Sequence, residues 1–181
     1  MKRFAPLVFV AFALVAGCGS SSASSSSAID AATSGEASLS KAEFVAKADA
    51  LCEESKARQE PLRRRLEEVT RKARGEEQSD EGLTDGTRRE LARTLGQIVA
   101  MAEASLTRVR ALGIPKADST QLEAIFRKIE SAFEGSLAYG AALVHHEDAK
   151  AQATAERADA ETRATADLAR QYGFKVCGAQ P

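Results

Sequence analysis

The sequence of 181 residues contains no tryptophan, two tyrosines and two histidines. Pockets for aromatic ligands usually rely on aromatic side chains, so the shortage argues against such a pocket. A di-iron centre in a helical bundle needs two Glu-x-x-His pairs on facing helices, which the adjacent residues His145 and His146 cannot supply. The sequence also contains no G-x-S-x-G, Walker or dinucleotide-binding motif. We therefore predict a protein that is not an enzyme and binds no cofactor.

An excess of positive charge is missing as well. The chain carries a formal net charge of -1, and a charge of -3 once Lys2 and Arg3 are set aside. Domains that bind nucleic acid normally present a strongly basic surface. The composition therefore predicts no nucleic-acid partner.

The apolar run over residues 7–15 is shorter than the roughly 20 residues that a membrane-spanning helix needs. It follows Lys2 and Arg3 and precedes Ala16-Gly17-Cys18. A positive start, a short apolar run and small residues before a cleavage point are typical of a secretory signal. A cysteine directly after the small pair indicates a lipobox, in which the thiol of Cys18 receives lipid. A soluble secreted protein and an uncleaved transmembrane anchor are the alternatives.

Three regions follow from this pattern: a signal peptide at 1–17, a lipidated Cys18 with a tether over 18–39, and a domain at 40–181. The tether is rich in serine and buries too little apolar surface to fold, so we expect it to be disordered. A flexible coil of some 20 residues reaches roughly 25 Å. The sequence also permits O-glycosylation there. The lipid on Cys18 makes the membrane the predicted partner, and we expect the domain to lie on the extracytoplasmic side of the cell membrane.

Cysteine is scarce, with three residues in the chain. When Cys18 is assigned to lipid, Cys52 and Cys177 remain as an even pair in an oxidising compartment. We predict a disulfide between them, which would close a loop of about 125 residues and stabilise the fold by at most about 5 kcal/mol. Their spacing is unlike C-x-x-C, which argues against a redox-active pair. Two free, buried thiols remain the alternative.

Four stretches carry apolar residues at helical spacing, and we see no strand or hairpin signal. The first begins at a capping box, Ser40 to Glu43, and contains Pro61, which predicts a kink or a break near Gln59. A loop is expected over Gly75 to Gly86. The second helix is expected to begin at another capping box, at Thr87, and to end at Gly113. The third is expected from Asp118 to about His146 and the fourth from Ala149 to Tyr172.

The third helix has the strongest apolar stripe, and the fourth has a thin one made largely of alanine. The third stripe is predicted to comprise Leu122, Ile125, Phe126, Ile129, Phe133, Leu137, Gly140, Ala141 and Val144. The fourth is predicted to comprise Ala153, Ala160, Ala164, Leu168 and Tyr172. Gly135 and Gly140 weaken the third helix, and we expect them to admit a neighbouring helix at close range.

Four amphipathic helices joined mostly by short loops predict an all-α, antiparallel, up-down-up-down four-helix bundle. In that topology the first and last helices are neighbours, which would bring Cys52 near Cys177. A three-helix bundle with the fourth helix detached is the alternative.

The segments Ser40–Cys52 and Tyr172–Gly178 resemble those of a group of small, uncharacterised lipoproteins from high-GC Gram-positive-type bacteria. In this group an opening helix ends in a cysteine, and a cysteine-glycine pair follows a closing helix. The resemblance covers both ends of the domain and, loosely, its helical middle. It implies a lipid-anchored, disulfide-closed helical domain and no particular activity.

We therefore expect a non-catalytic interaction domain of the cell envelope. One alternative is a carrier or sensor of a small apolar ligand held between the helices. A second alternative is an enzyme or a weak metal site that uses His145 or His146, although neighbouring histidines on a helix point about 100° apart. The arginines at 63–65 have glutamates nearby and favour a solvated, salt-bridged face over a contact with lipid head groups or a partner.

Overall fold

The computed structural model describes residues 39–79 and 82–178, so the leader, Cys18 and the serine-rich tether lie outside the described residues. The described part contains four long helices and no strand, and the prediction of an all-α four-helix bundle is confirmed. The helices are α1 (Lys41–Glu77), α2 (Asp85–Arg110), α3 (Ser119–Val144) and α4 (Asp148–Tyr172), with a 3₁₀ turn at Lys116–Asp118 before α3.

Each helix packs closely on the next one along the chain, in antiparallel fashion. Residues near the start of one helix contact residues near the end of the next: Arg108 of α2 meets Glu54 of α1, and Tyr172 of α4 meets Asp118 before α3. Helix α4 therefore packs on α3, and the alternative of a detached fourth helix is wrong. The described residues 39–79 and 82–178 belong to one compact unit.

The capping box at the start of α1 is present. The Ser40 hydroxyl accepts a hydrogen bond from the Glu43 amide at 3.3 Å, and the Ser40 amide donates to the Glu43 carboxylate at 2.9 Å. Helix α1 then continues through Pro61 for 37 residues in all. A break at Pro61 is therefore wrong, because losing one backbone donor does not outweigh packing on both sides of it. A kink there stays a prediction.

The predicted capping box at Thr87 is wrong by one turn. The cap is Thr84, whose hydroxyl accepts from the Thr87 amide at 3.4 Å, and α2 begins at Asp85. Glu76 of α1 explains the shift, since its carboxylate accepts from the Thr84 amide at 2.9 Å and from the Thr87 hydroxyl at 2.8 Å. These bonds, above all the one from the Thr84 amide, lower the pKa of Glu76. The loop is accordingly shorter than the predicted 75–86.

The apolar core consists of two clusters, one at each end of the bundle. The first lies where α1 begins and α4 ends and includes Phe44, Ala48, Leu106, Val109, Leu122, Ile125, Phe126, Ala169, Tyr172 and Phe174. The second lies where α1 ends and α4 begins and includes Val69, Ala73, Leu91, Ala142, Leu143 and Ala151. Both clusters contain residues of α1 and α4, so the two helices share the core at both ends.

Between the clusters, α1 places polar side chains in the interior. The amide of Gln59 donates to the Ser55 hydroxyl at 3.0 Å, and the Ser105 hydroxyl of α2 donates to the same oxygen at 2.7 Å. Ser55 and Gln59 are both buried. Buried polar groups need such partners, so this chain of hydrogen bonds favours one register of α1 against α2.

Both glycines of α3 lie at close contacts, as predicted. A Cβ atom at Gly140 would come within 3.3 Å of Ala92 in α2, and one at Gly135 within 3.3 Å of Ala158 in α4. Such distances are tighter than ordinary van der Waals contact. Glycine at these positions therefore lets α3 approach both neighbours closely.

The predicted inward stripe of α3 is wrong in its last two turns. Leu137 and Val144 are 45% and 38% exposed, and Ala141 is exposed as well. Gly140 is buried as predicted, whereas Ala142 and Leu143 take the buried positions in place of Ala141 and Val144. The step from 133 to 137 follows another step of four, and each such step rotates the position by about 40° away from the core in a helix of 3.6 residues per turn.

The predicted inward face of α4 is also wrong at its three alanines. Ala153, Ala160 and Ala164 are exposed. The buried residues of α4 are Ala151, Thr165, Ala166, Ala169 and Tyr172. Alanine occurs on all sides of this helix and is small enough for core or surface, so its spacing does not identify the buried face.

Candidate functional site

The predicted disulfide between Cys52 and Cys177 is present, with a Cα–Cα distance of 5.4 Å. It joins Cys52, in the first half of α1, to the tail that follows α4. Gly173 ends α4 with φ at 121°, as expected for a glycine cap, and turns the chain toward α1. The alternative of two free thiols is therefore not the arrangement found. We call the tail 173–178 with its contacts on α1 the clasp.

Asp49 holds the backbone of the clasp. Its carboxylate accepts hydrogen bonds from the amides of Lys175 at 2.8 Å, Val176 at 3.0 Å and Cys177 at 2.9 Å. Asp49 lies three residues before Cys52, so both side chains are on one face of α1. The carboxylate and the disulfide thus fix the same tail from the same helix face. Sequence reasoning did not identify Asp49.

Aromatic side chains fill the space beneath the clasp. The rings of Phe44 and Phe174 meet edge to face with centroids 6.2 Å apart, and Tyr172 lies 5.2 Å from Phe174. The Tyr172 hydroxyl donates to the Asp118 carboxylate at 3.0 Å, and the Lys41 ammonium lies 4.2 Å from the Tyr172 ring centre. Burial, and then the hydrogen bond to Asp118, raise the pKa of Tyr172 above its usual range.

Replacing Asp49 by alanine is expected to lower the free energy of unfolding by about 2 kcal/mol, because three amides lose a charged acceptor and water replaces it only in part. Urea unfolding and amide exchange at residues 175–177 measure the effect. Glu53→Ala is the matched control, since Glu53 is exposed on the same helix. Equal unfolding curves for the two variants would contradict this role of Asp49.

The structure places the two histidines at the turn between α3 and α4. His145 caps the end of α3, and His146 has φ at 58° and lies 3.0 Å from the carboxylate of Asp85. Asp148 pairs with Arg88 at 2.6 Å rather than with His145. In the described residues, no three side chains of His, Cys, Asp or Glu come together as a metal site would require. The histidines therefore form part of a polar turn.

Arg88 ties three helices together at the same end of the bundle. Its guanidinium is buried and donates to the Asp148 carboxylate at 2.6 Å, to the Leu143 carbonyl at 3.3 Å and to the Leu83 carbonyl at 3.2 Å. The start of α2, the end of α3 and the start of α4 thus share one cation. A buried arginine with three oxygen partners is a structural element here, because its charge is compensated locally.

The arginines at 63–65 divide between surface and interior. Arg64 pairs with Glu60 at 3.0 Å, and Arg65 pairs with Glu68 at 3.7 Å and with Glu90 of α2. The salt-bridged face that the sequence favoured is therefore present at these two residues. Arg63 is half-buried, and this burial lowers its pKa.

A shallow groove of about 130 Å³ runs between α1 and α2. It is lined by Ser55, Arg58, Met101, Ala104, Ser105 and Arg108. Glu54 pairs with both arginines, at 3.0 Å and 2.7 Å. A carrier of apolar ligands needs an apolar pocket of about 300 Å³ or more, and this groove is smaller.

An exposed apolar stripe lies on the outer side of α3. It consists of Leu137, Ala141 and Val144, at helical positions i, i+4 and i+7. Arg89 and Arg93 of α2 are exposed beside it and pair with no carboxylate of the described residues. Arg89 and Val144 line one small groove of about 50 Å³ together with Asp85, Arg88 and His146, so the two helices meet at this end of the surface. We call the stripe together with Arg89 and Arg93 the α2–α3 face.

The comparisons with known proteins add no relative. No family model matches the chain, and no curated protein or solved structure is similar to it. Among the helices of the described residues, none is both long and apolar enough to cross a membrane.

Proposed function

We propose that the protein is a lipoprotein of the cell envelope, anchored by lipid at Cys18, whose helical domain binds a partner without catalysis. In this proposal the chain is exported, cleaved before Cys18 and held at the extracytoplasmic face of the membrane. The serine-rich tether then joins the domain to the anchor and keeps it within roughly 25 Å of the lipid head groups.

The observation that carries the proposal is the Cys52–Cys177 disulfide. Disulfides persist in oxidising compartments and are rare in the cytosol, so the bond supports export. Export agrees with the cationic, apolar leader and the small residues before Cys18. Two features at separate places in the chain thus support the same compartment.

The binding role is supported by how the polar groups of the domain are used. Asp49 holds the clasp, Glu76 caps α2, and Arg88 joins three helix ends. Their charges are engaged in holding the fold. Because these side chains serve the fold, the arrangement favours an interaction role over a catalysed reaction.

Cys18→Ser is expected to abolish lipid attachment completely, because the oxygen cannot replace the thiol in a lipobox. The full chain is expressed in a bacterium that processes lipoproteins, and incorporation of labelled palmitate is measured after immunoprecipitation. Ser22→Ala is the matched control, with one side chain changed four residues later and full labelling expected. Equal labelling of the two variants, or an absence of label from the unaltered chain, would overturn the proposal.

A further inference from the structure

We propose that the α2–α3 face is a contact site for anionic lipid, against which the tethered domain lies on the membrane. The inference rests on the proposed function only for bringing the domain close to a membrane. Its own basis is the exposed stripe of α3 and two arginines of α2 that form no ion pair with the described residues.

The apolar side chains of the α2–α3 face are unusual in this domain because they are exposed. Leu137 and Val144 are the two large apolar side chains that stand out as exposed in the described part of the chain. They lie seven residues apart on one side of α3, with Ala141 between them. Apolar side chains in a row at helical spacing are suited to shallow insertion between lipid head groups.

The charged part of the face calls for an anionic occupant. Arg89 and Arg93 are four residues apart on α2, so their like charges repel each other and weaken the isolated helix. Neither arginine forms an ion pair with a carboxylate of the described residues; Asp85, which lines the groove beside Arg89, pairs with His146 at 3.0 Å. Phosphate groups of anionic lipids would neutralise both arginines, and each arginine near such a surface favours binding.

The size and charge of the face distinguish lipid from protein. The stripe spans the eight residues 137–144, or about 10 Å of helix. A stable protein interface buries about 800 Å² on each partner, which is far more than three side chains supply. A symmetric pair of copies would also set one positively charged face against another. A weak lipid contact suffices, because an anchor and a short tether raise the local concentration of membrane surface.

The absence of tryptophan from the chain allows a direct test. Leu137→Trp introduces one fluorescent reporter into the face, and Ala160→Trp introduces one at an exposed position of α4 as the matched control. The protein is the chain from residue 18 with Cys18→Ser, which carries no lipid and keeps the whole compact unit with its core and disulfide. Circular dichroism confirms that each variant is folded.

Vesicles of phosphatidylglycerol and phosphatidylcholine in about equal parts are expected to shift the Leu137→Trp emission to shorter wavelength, and added salt should reverse the shift. Pure phosphatidylcholine vesicles should cause no shift. An absent shift, or an equal one in Ala160→Trp, would overturn the proposal. If the emission shifted with rising protein concentration in the absence of vesicles, the occupant of the face would be a second copy of the chain and not lipid. Because this chain carries no lipid, none of these outcomes depends on whether Cys18 is acylated in the cell.

Charge reversal gives an independent measurement in the same vesicles. Arg89→Glu with Arg93→Glu should weaken binding at least about tenfold. Arg157→Glu with Arg163→Glu makes the same change in net charge on the exposed side of α4 and should weaken it much less. Equal losses for the two double variants would show a response to net charge alone and would contradict a site at the α2–α3 face.

Discussion

Replacing both Cys52 and Cys177 by alanine is expected to lower the free energy of unfolding by about 3–5 kcal/mol. The bond spans 125 residues, nearly the whole domain. Its removal therefore releases a long loop in the unfolded chain, and the cost grows with loop length in the chain-entropy model. A domain of this size is normally stable by about 5–15 kcal/mol, so the loss is a large share of the total.

Reduction of the unaltered protein provides the control for this prediction. Chemical unfolding followed by circular dichroism should give the same loss for the reduced protein as for the double variant. The double variant itself should not respond to reductant. A loss below about 1 kcal/mol in both cases would contradict the prediction that the bond stabilises the fold by constraining the unfolded chain.

Phe44→Ala is the other change expected to have a large effect, lowering the free energy of unfolding by about 3–5 kcal/mol. Phe44 is fully buried in the first core cluster and contacts the ring of Phe174. Removing the ring leaves a cavity beneath the clasp, where the disulfide limits how far the tail can move to fill it.

Phe133→Ala is the comparison for Phe44, since Phe133 is half-buried and packs against the same cluster. It loses less buried surface, so we expect a smaller loss of stability, measured by urea unfolding of both variants. If Phe133→Ala cost as much as Phe44→Ala, the complete burial of Phe44 would not explain the large effect expected there.

The sequence was sufficient for features that depend on near neighbours in the chain. The capping box of Ser40 and Glu43 places both partners within three residues, and it is present. The glycine cap at Gly173 is likewise a local property of the backbone. The error at Thr87 arose because Thr84 suits a cap equally well, and Glu76, on another helix, decides between them.

Helix faces were harder to predict where side chains are small. In α4 alanine occurs on all sides, so no apolar period distinguishes buried Ala166 from exposed Ala164. In α3 the error has a different cause, because Leu137 and Val144 are large apolar residues that the fold leaves exposed. The two successive steps of four from 129 to 137 were the local signal that these positions rotate away from the core.

The clasp combines what the sequence predicted with what it could not. The even pair of cysteines predicted the disulfide, because composition and compartment suffice for that inference. The bonds from Asp49 to residues 175–177 join positions more than 120 residues apart, and a single aspartate carries no pattern. The arrangement also ties the first half of α1 to the tail that follows α4.

Intact-mass measurement of the full-length protein extracted from native membranes tests the central claim most directly. The account predicts a chain that begins at Cys18 and carries diacylglyceryl lipid, and that takes up alkylating reagent at Cys52 and Cys177 only after reduction. An unmodified residue 18, or alkylation of both other cysteines before reduction, would contradict it.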